Sequence, residues 1–195
     1  MKIAFSGPVK NCDDNLENNL NFLINLKNDS RIDLIDIFIL EGDSIDDSKV
    51  ILEKYKKYSE INLVTENNLE VKLPNRVERI AYCRNLLLKE IKDKKTSYDF
   101  YIPLDLDVEL FSQISTDDFL KILTRVNKDN DIDALFPFSL PFYYDLAALR
   151  AYGWLEEDVW IKFNKLAKKL KVGKIFLRIF LIFKKQIKQP RNKKL

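Results

Sequence analysis

The sequence predicts an α/β fold: a mostly parallel central sheet flanked by helices, followed by a basic helical tail. Three observations lead there. Short runs rich in Ile, Leu and Phe alternate with segments of helical period, polar clusters follow those apolar runs, and residues 161–195 carry 13 Lys/Arg and no Asp/Glu. Strands that alternate with helices of about 12–18 residues imply crossover connections and parallel pairing.

Lys2–Ser6 is expected as a buried strand ending at Gly7 and Pro8. Leu16, Leu20, Leu23 and Ile24 mark a helix over Asn15–Leu26, with Asp13 or Asp14 as its N-cap. Ile32–Leu40 reads as the second strand and Asp46–Tyr58 as a helix with Val50, Ile51, Leu52 and Tyr55 on its apolar face. Ile61–Thr65 is the third strand. Asn75–Lys92 is a helix with Val77, Ile80, Ala81, Leu87, Leu88 and Ile91 inside. Tyr98–Leu104 is the fourth strand, Thr116–Val126 a further helix, and Ala134–Phe136 another strand edge. Ligands of such sheets lie beyond the carboxyl ends of the strands, and that is where Pro8–Asp14, Glu41–Asp47 and Asp105–Glu109 fall.

Composition removes whole classes of chemistry. With 195 residues and 46% hydrophobic content the chain suits one domain with a short appendage. It has no histidine, which excludes Ser-His-Asp and Cys-His nucleophiles, an imidazole base and His-ligated zinc. Two cysteines, Cys12 and Cys83, make no disulfide framework and suit a reducing compartment as small buried hydrophobes. The net charge of +3 conceals a body of 20 basic and 30 acidic side chains before residue 161. An acidic body argues against nucleic-acid binding. No apolar run reaches the ~18–20 residues of a membrane span, so a cytoplasmic protein, soluble or peripheral, is expected. In the tail, Ile175, Phe176, Ile179, Phe180, Phe183 and Ile187 share one face of a helix over 171–188. That helix suits an anionic membrane surface, and equally a packing or partner helix.

Four clusters are candidates for chemistry. Asp105 and Asp107 flank Leu106 after a strand-like run, unlike the pairs Asp129/Asp131 and Asp131/Asp133, and alternate carboxylates are natural ligands for Mg²⁺ or Mn²⁺. Glu41 to Ser48 is an acidic turn that either caps the next helix or accepts hydrogen bonds from a ribose or base. Arg76, Arg79 and Arg84 lie on one long helix and suit bidentate phosphate contacts or structural ion pairs. Phe136 to Asp145 holds five aromatics in ten residues, broken by two prolines, a loop for stacking on a sugar or for plugging the core, with Asp145 placed to take a proton.

In this order the clusters resemble the nucleotide-sugar glycosyltransferases of the GT-A fold, a Rossmann-like architecture. The nearest resemblance is to the capsule-associated mannosyltransferase-like group and its bacterial relatives in surface-polysaccharide synthesis. It is carried by Val9 to Cys12, Glu41 to Ser48, Arg79 to Asn85, Asp105 to Asp107 and Tyr143 to Arg150, over roughly residues 1–160. It implies a glycosyltransferase of hexosyltransferase type with a donor domain over 1–160 and a basic amphipathic tail over 161–195. It further implies Mn²⁺ or Mg²⁺ on Asp107 and Asp105 (the DXD motif) bridging the donor diphosphate. Glu41 and Asp43 would line the nucleoside pocket, with Lys10, Arg79, Arg84 and Asp105 also toward the nucleotide-sugar. Asp145 would be the base of an inverting transfer to a glycan or lipid-linked acceptor. Gly42 stands where relatives often carry serine. Such proteins usually continue beyond a helical stretch like 156–188, so a truncated or degenerate copy retaining the donor half is expected. Two other readings stay open: a non-catalytic nucleotide-sugar-binding or partner protein, and a haloacid-dehalogenase-like phosphatase with Asp105 as nucleophile. The latter normally has its nucleophile strand near the N-terminus and a further acidic pair downstream.

Overall fold

The computed structural model describes residues 1–112, 114–129 and 132–134. The aromatic segment with Asp145 and the basic tail, including 171–188, lie outside the described residues. Among the described residues four strands form one sheet: β1 (Lys2–Val9), β2 (Leu34–Gly42), β3 (Ile61–Glu66) and β4 (Phe100–Pro103). The helices are α1 (Asp13–Asn25), α2 (Ser48–Tyr55), α3 (Leu69–Lys72), α4 (Arg76–Asp93) and α5 (Thr116–Lys128). All strand pairs are parallel, in the order β3-β2-β1-β4. This is the α/β, Rossmann-like arrangement the alternating pattern predicts.

The two-residue period of a strand divides the core. Ile3, Phe5, Ile35, Ile37 and Ile39 pack with Leu16, Leu20 and Leu23 of α1, Ile51 and Leu52 of α2, and Leu120 of α5. Their neighbours Ala4, Phe38 and Leu40 face the other way, onto Leu69 of α3 and Cys83, Leu87 and Ile91 of α4. Helices therefore cover both faces. The chain reverses direction across the sheet between β1 and β4, where an open α/β sheet forms its ligand crevice.

Several boundaries differ from the sequence reading. β1 runs on through Gly7 and Pro8 to Val9. Strand β4 leaves β1 after Ser6, so Pro8 lies where β1 has a partner on one side only, a place that tolerates a missing N–H. Helix α1 begins at Asp13 with Cys12 as its N-cap residue, so Asp13 and Asp14 fill the first turn instead of capping it. Helix α2 is shorter, Ser48–Tyr55, and Asp46 serves two segments at once, accepting from Ser48 N–H at 3.1 Å at the start of α2 and from Asp13 N–H at 3.1 Å in the first turn of α1. Val50 and Val77, expected on apolar faces, are each 54% exposed; the buried stripe of α4 is Cys83, Leu87 and Ile91.

At the opposite end from the crevice, a carboxylate sits inside the protein. Asp36 of β2 is 4% exposed. It accepts hydrogen bonds from Lys94 Nζ at 2.6 Å, Tyr98 Oη at 2.6 Å and Asn62 Nδ2 at 3.2 Å. Burial pushes its pKa up, but the bonds from Lys94, Tyr98 and Asn62 outweigh that and hold it below the usual carboxylate range. Burial and the Asp36 carboxylate in turn push Tyr98 up to about 12, so it remains a donor. Asp36→Ala should cost about 1–3 kcal/mol in urea unfolding at pH 7, since it removes the shared acceptor of a half-buried ammonium, hydroxyl and carboxamide. A depressed carboxylate stabilises the fold above its unfolded pKa of about 3.9 and loses that contribution as pH falls through its folded value. The difference between wild type and variant should therefore shrink below about pH 4.

Candidate functional site

Each strand delivers its loop to the same edge of the sheet, and side chains of one loop satisfy the backbone of the next. After β1, Asn11 adopts a left-handed φ of 54°. Its N–H donates to Ser44 Oγ at 3.1 Å, and its Oδ1 accepts from Ile45 N–H at 2.9 Å. Ser48 Oγ accepts from Cys12 N–H at 2.8 Å, and Asp46 Oδ2 from Asp13 N–H at 3.1 Å. The β2–α2 loop thus covers the amino terminus of α1. In dinucleotide-binding α/β folds that terminus holds a phosphate. Here its first amides are occupied and its first turn carries Asp13 and Asp14, so it is closed to an anion.

The β4–α5 loop is held from α1. Asn19, 1% exposed among the leucines of α1, donates through Nδ2 to Leu106 O at 3.3 Å and Val108 O at 2.8 Å. Its Oδ1 accepts from Leu110 N–H at 3.2 Å. One turn earlier, Asn15 Nδ2 donates to Asp107 O at 3.1 Å. Leu106 is 1% exposed and plugs the core, and Phe111 stacks on Phe22 of α1 at 4.1 Å between ring centroids. A side chain at Gly7 would meet Leu104 O and Leu106 Cδ1 at 2.9 Å, so the glycine lets this loop lie against β1. With Leu106 drawn inward, Asp105 and Asp107 on either side are exposed.

The residues singled out from sequence divide into two groups. Arg84 Nη2 meets Asp105 Oδ1 at 2.7 Å, which brings an expected phosphate ligand to an expected metal ligand. Asp107 follows two residues later in the same loop, where its carbonyl accepts from Asn15 of α1. The second group surrounds α3. Asp43, at a left-handed φ of 59°, accepts from the N–H groups of Asn68 at 2.7 Å, Leu69 at 2.6 Å and Glu70 at 3.3 Å. Desolvation pushes its pKa up, but these amides and Lys10 outweigh it and hold the carboxyl below its ordinary value. Lys10 pairs with Glu70. Arg79 donates to Leu73 O and Pro74 O, both at 2.8 Å, and so ties down the α3–α4 connection. Asp43 and Arg79 thus have structural duties here, the first as a cap of α3 supplied from a distant loop.

Glu41 differs from both groups. It is 2% exposed at the end of β2; Oε1 accepts from Ser44 N–H at 2.8 Å. Among the described residues Oε2 is a buried carboxylate oxygen with no hydrogen-bond partner. An orphaned acceptor of this kind at a ligand edge is suited to a donor arriving from outside the chain.

The implied metal suits the donor set. Among the described residues no group of three or more His, Cys, Asp or Glu side chains gathers into a metal cage. Mg²⁺ and Mn²⁺ need none, since such ions are commonly held by one or two carboxylates with phosphate oxygens and water completing the shell. Asp105 and Asp107 present hard, exposed oxygens of that type.

Asn15 and Asn19 had no place in the sequence-level site, and Asp46 and Ser48 stood in it only as members of the Glu41 to Ser48 turn. Asn15 and Asn19 had a signal: two carboxamides one turn apart beside Leu16, Leu20 and Leu23. The bonds of Asp46 and Ser48 to another segment had none, because local capping of α2 explains the same residues.

No protein-family model matches the chain, and no curated protein does. Among solved structures it is similar to a crystal structure of S. aureus TarS 1–349, with TM-score 0.44 and 16% identity over 66% of this chain and 33% of that one. It is also similar to glucosyl-3-phosphoglycerate synthase from Mycobacterium tuberculosis in complex with uridine diphosphate. There the TM-score is 0.34 and the identity 20%, over 55% of this chain and 34% of that one. The chain spans about a third of the length of either. Likeness of this degree assigns no role to any residue. Among the described residues no helix is long and apolar enough to cross a membrane.

Two outcomes are expected. Asn19→Leu removes three bonds to buried or half-buried backbone and should cost about 2–4 kcal/mol, with faster hydrogen exchange at the Leu110 amide. Burial pushes the Cys12 thiol up to about 11 and raises Cys83 as well. Neither cysteine of the native protein should react with iodoacetamide at pH 7.5, and both should react in urea.

Proposed function

We propose that this edge binds a nucleotide-sugar together with Mn²⁺ or Mg²⁺, and that the chain is the donor-binding part of a glycosyltransferase. The observation that carries the reading is the meeting of Arg84 with Asp105, beside Asp107, at the strand switch between β1 and β4. A diphosphate there needs positive charge, and the amino terminus of α1 is closed to it. Arg84, with a cation on Asp105 and Asp107, supplies that charge instead.

In this reading Glu41 Oε2 receives an N–H or O–H of the nucleoside, and Asp43, Lys10 and Arg79 shape the wall behind it through α3. A bound divalent ion would supply fixed positive charge where the departing diphosphate gains negative charge. Asp145 takes the acceptor proton if the transfer inverts. A glycan or lipid-linked acceptor, a surface-polysaccharide product and a cytoplasmic location, with 171–188 against the membrane, belong to the same proposal. The phosphatase alternative is disfavoured by the order of the elements, since its nucleophile strand normally lies near the N-terminus and Asp105 follows the fourth strand.

Calorimetric titration with nucleoside diphosphates and nucleotide-sugars, with and without Mn²⁺, tests the reading. Wild type should bind one nucleotide class only when Mn²⁺ is present, and Asp107→Asn should weaken that binding at least about tenfold. A folded sample that binds none of them contradicts the donor site and favours a scaffold role.

A further inference from the structure

Resting on the donor-site reading, we propose that Arg84 is a positioning residue that occupies Asp105 as a stand-in cation and makes metal binding depend on the nucleotide. The guanidinium and the carboxylate are 2.7 Å apart, and their side chains are 46% and 56% exposed. An ion pair so exposed is weak, and a divalent cation can exchange for it. The exchange is unfavourable while the guanidinium has nowhere to go, because it would lie beside a second positive charge. Among the described residues no cation pairs with Asp107, so the competition is confined to Asp105.

A nucleoside diphosphate removes the conflict. Its phosphate oxygens give the guanidinium a bidentate partner and complete the metal shell, so Arg84 moves from carboxylate to phosphate as the ion takes Asp105. Metal and nucleotide then favour one another reciprocally. The ion alone binds poorly. The chain is thereby spared from filling its site with metal before a donor arrives.

The test follows Mn²⁺ binding by the EPR signal of the free ion, using the full chain as wild type, Arg84→Gln and Arg84→Lys. With Mn²⁺ alone, Arg84→Gln should bind about three- to tenfold tighter than wild type, and Arg84→Lys should stay near wild type. When UDP, GDP, CDP and ADP are added in turn, the effective one should tighten Mn²⁺ in wild type and do so about tenfold less in Arg84→Gln. This opposite movement is not what a merely structural arginine would give. If Arg84→Gln leaves the affinity for Mn²⁺ alone unchanged or weaker while nucleotide still tightens Mn²⁺ in wild type, the stand-in role is overturned and the donor site survives. If no nucleotide affects Mn²⁺ in any of the three proteins, both are overturned.

Discussion

A buried carboxamide, that of Asn19, holds the β4–α5 loop to the rest of the fold. Asn19 binds two carbonyls and one amide of the segment from Leu106 to Leu110, matching its donor and acceptor atoms to backbone groups that would otherwise lie unpaired under α1. That attachment, with Leu106 plugged into the core, turns a flexible strand-to-helix connection into a platform with Asp105 and Asp107 facing outward. The same device recurs along the edge. Ser44, Asp46 and Ser48 close the start of α1, and Asp43 starts α3.

This construction also decides where charge can go. A fold of this topology has an obvious anion site at the first helix, and here carboxylates and hydroxyls of its own chain fill it. Positive charge is displaced to Arg84 on α4, where it pairs with Asp105. The acidic body then makes sense at the local level. At this edge, carboxylates either cap backbone amides, as Asp43 and Asp46 do, or stand exposed beside the crevice, as Asp105 and Asp107 do. Glu41, with one oxygen bonded and one not, is intermediate between the two.

The sheet was legible because its strands are short apolar runs, such as Ile37 to Leu40, set between segments of helical period, and both signals are local. Boundaries were less so. Nothing near Pro8 reveals that β4 stops short of it, and the extension of β1 depends on that distant fact. At the site, the Asp105 and Asp107 pair was readable from its strand context, and Arg84 from its place on a helix. Their pairing, over 21 residues of separation, required the fold. Asp43 shows the reverse error of scale. Its sequence neighbourhood suggests a cap for the helix just after it, whereas its carboxylate caps α3, 25 residues on.

The central claim is that donor and metal meet at the carboxyl edge beside Asp105 and Asp107. Paramagnetic broadening of backbone amide NMR signals by Mn²⁺, in the presence of the best-binding nucleoside diphosphate, tests it most directly. The account predicts loss of signal for Asp105 to Glu109, with weaker effects at Asn11 to Asp13, Ser44 and Arg84, and intact signals around Asp36, Lys94 and Tyr98. Broadening centred on Asp36, or on Asp117 and Asp118 at the start of α5, would contradict it.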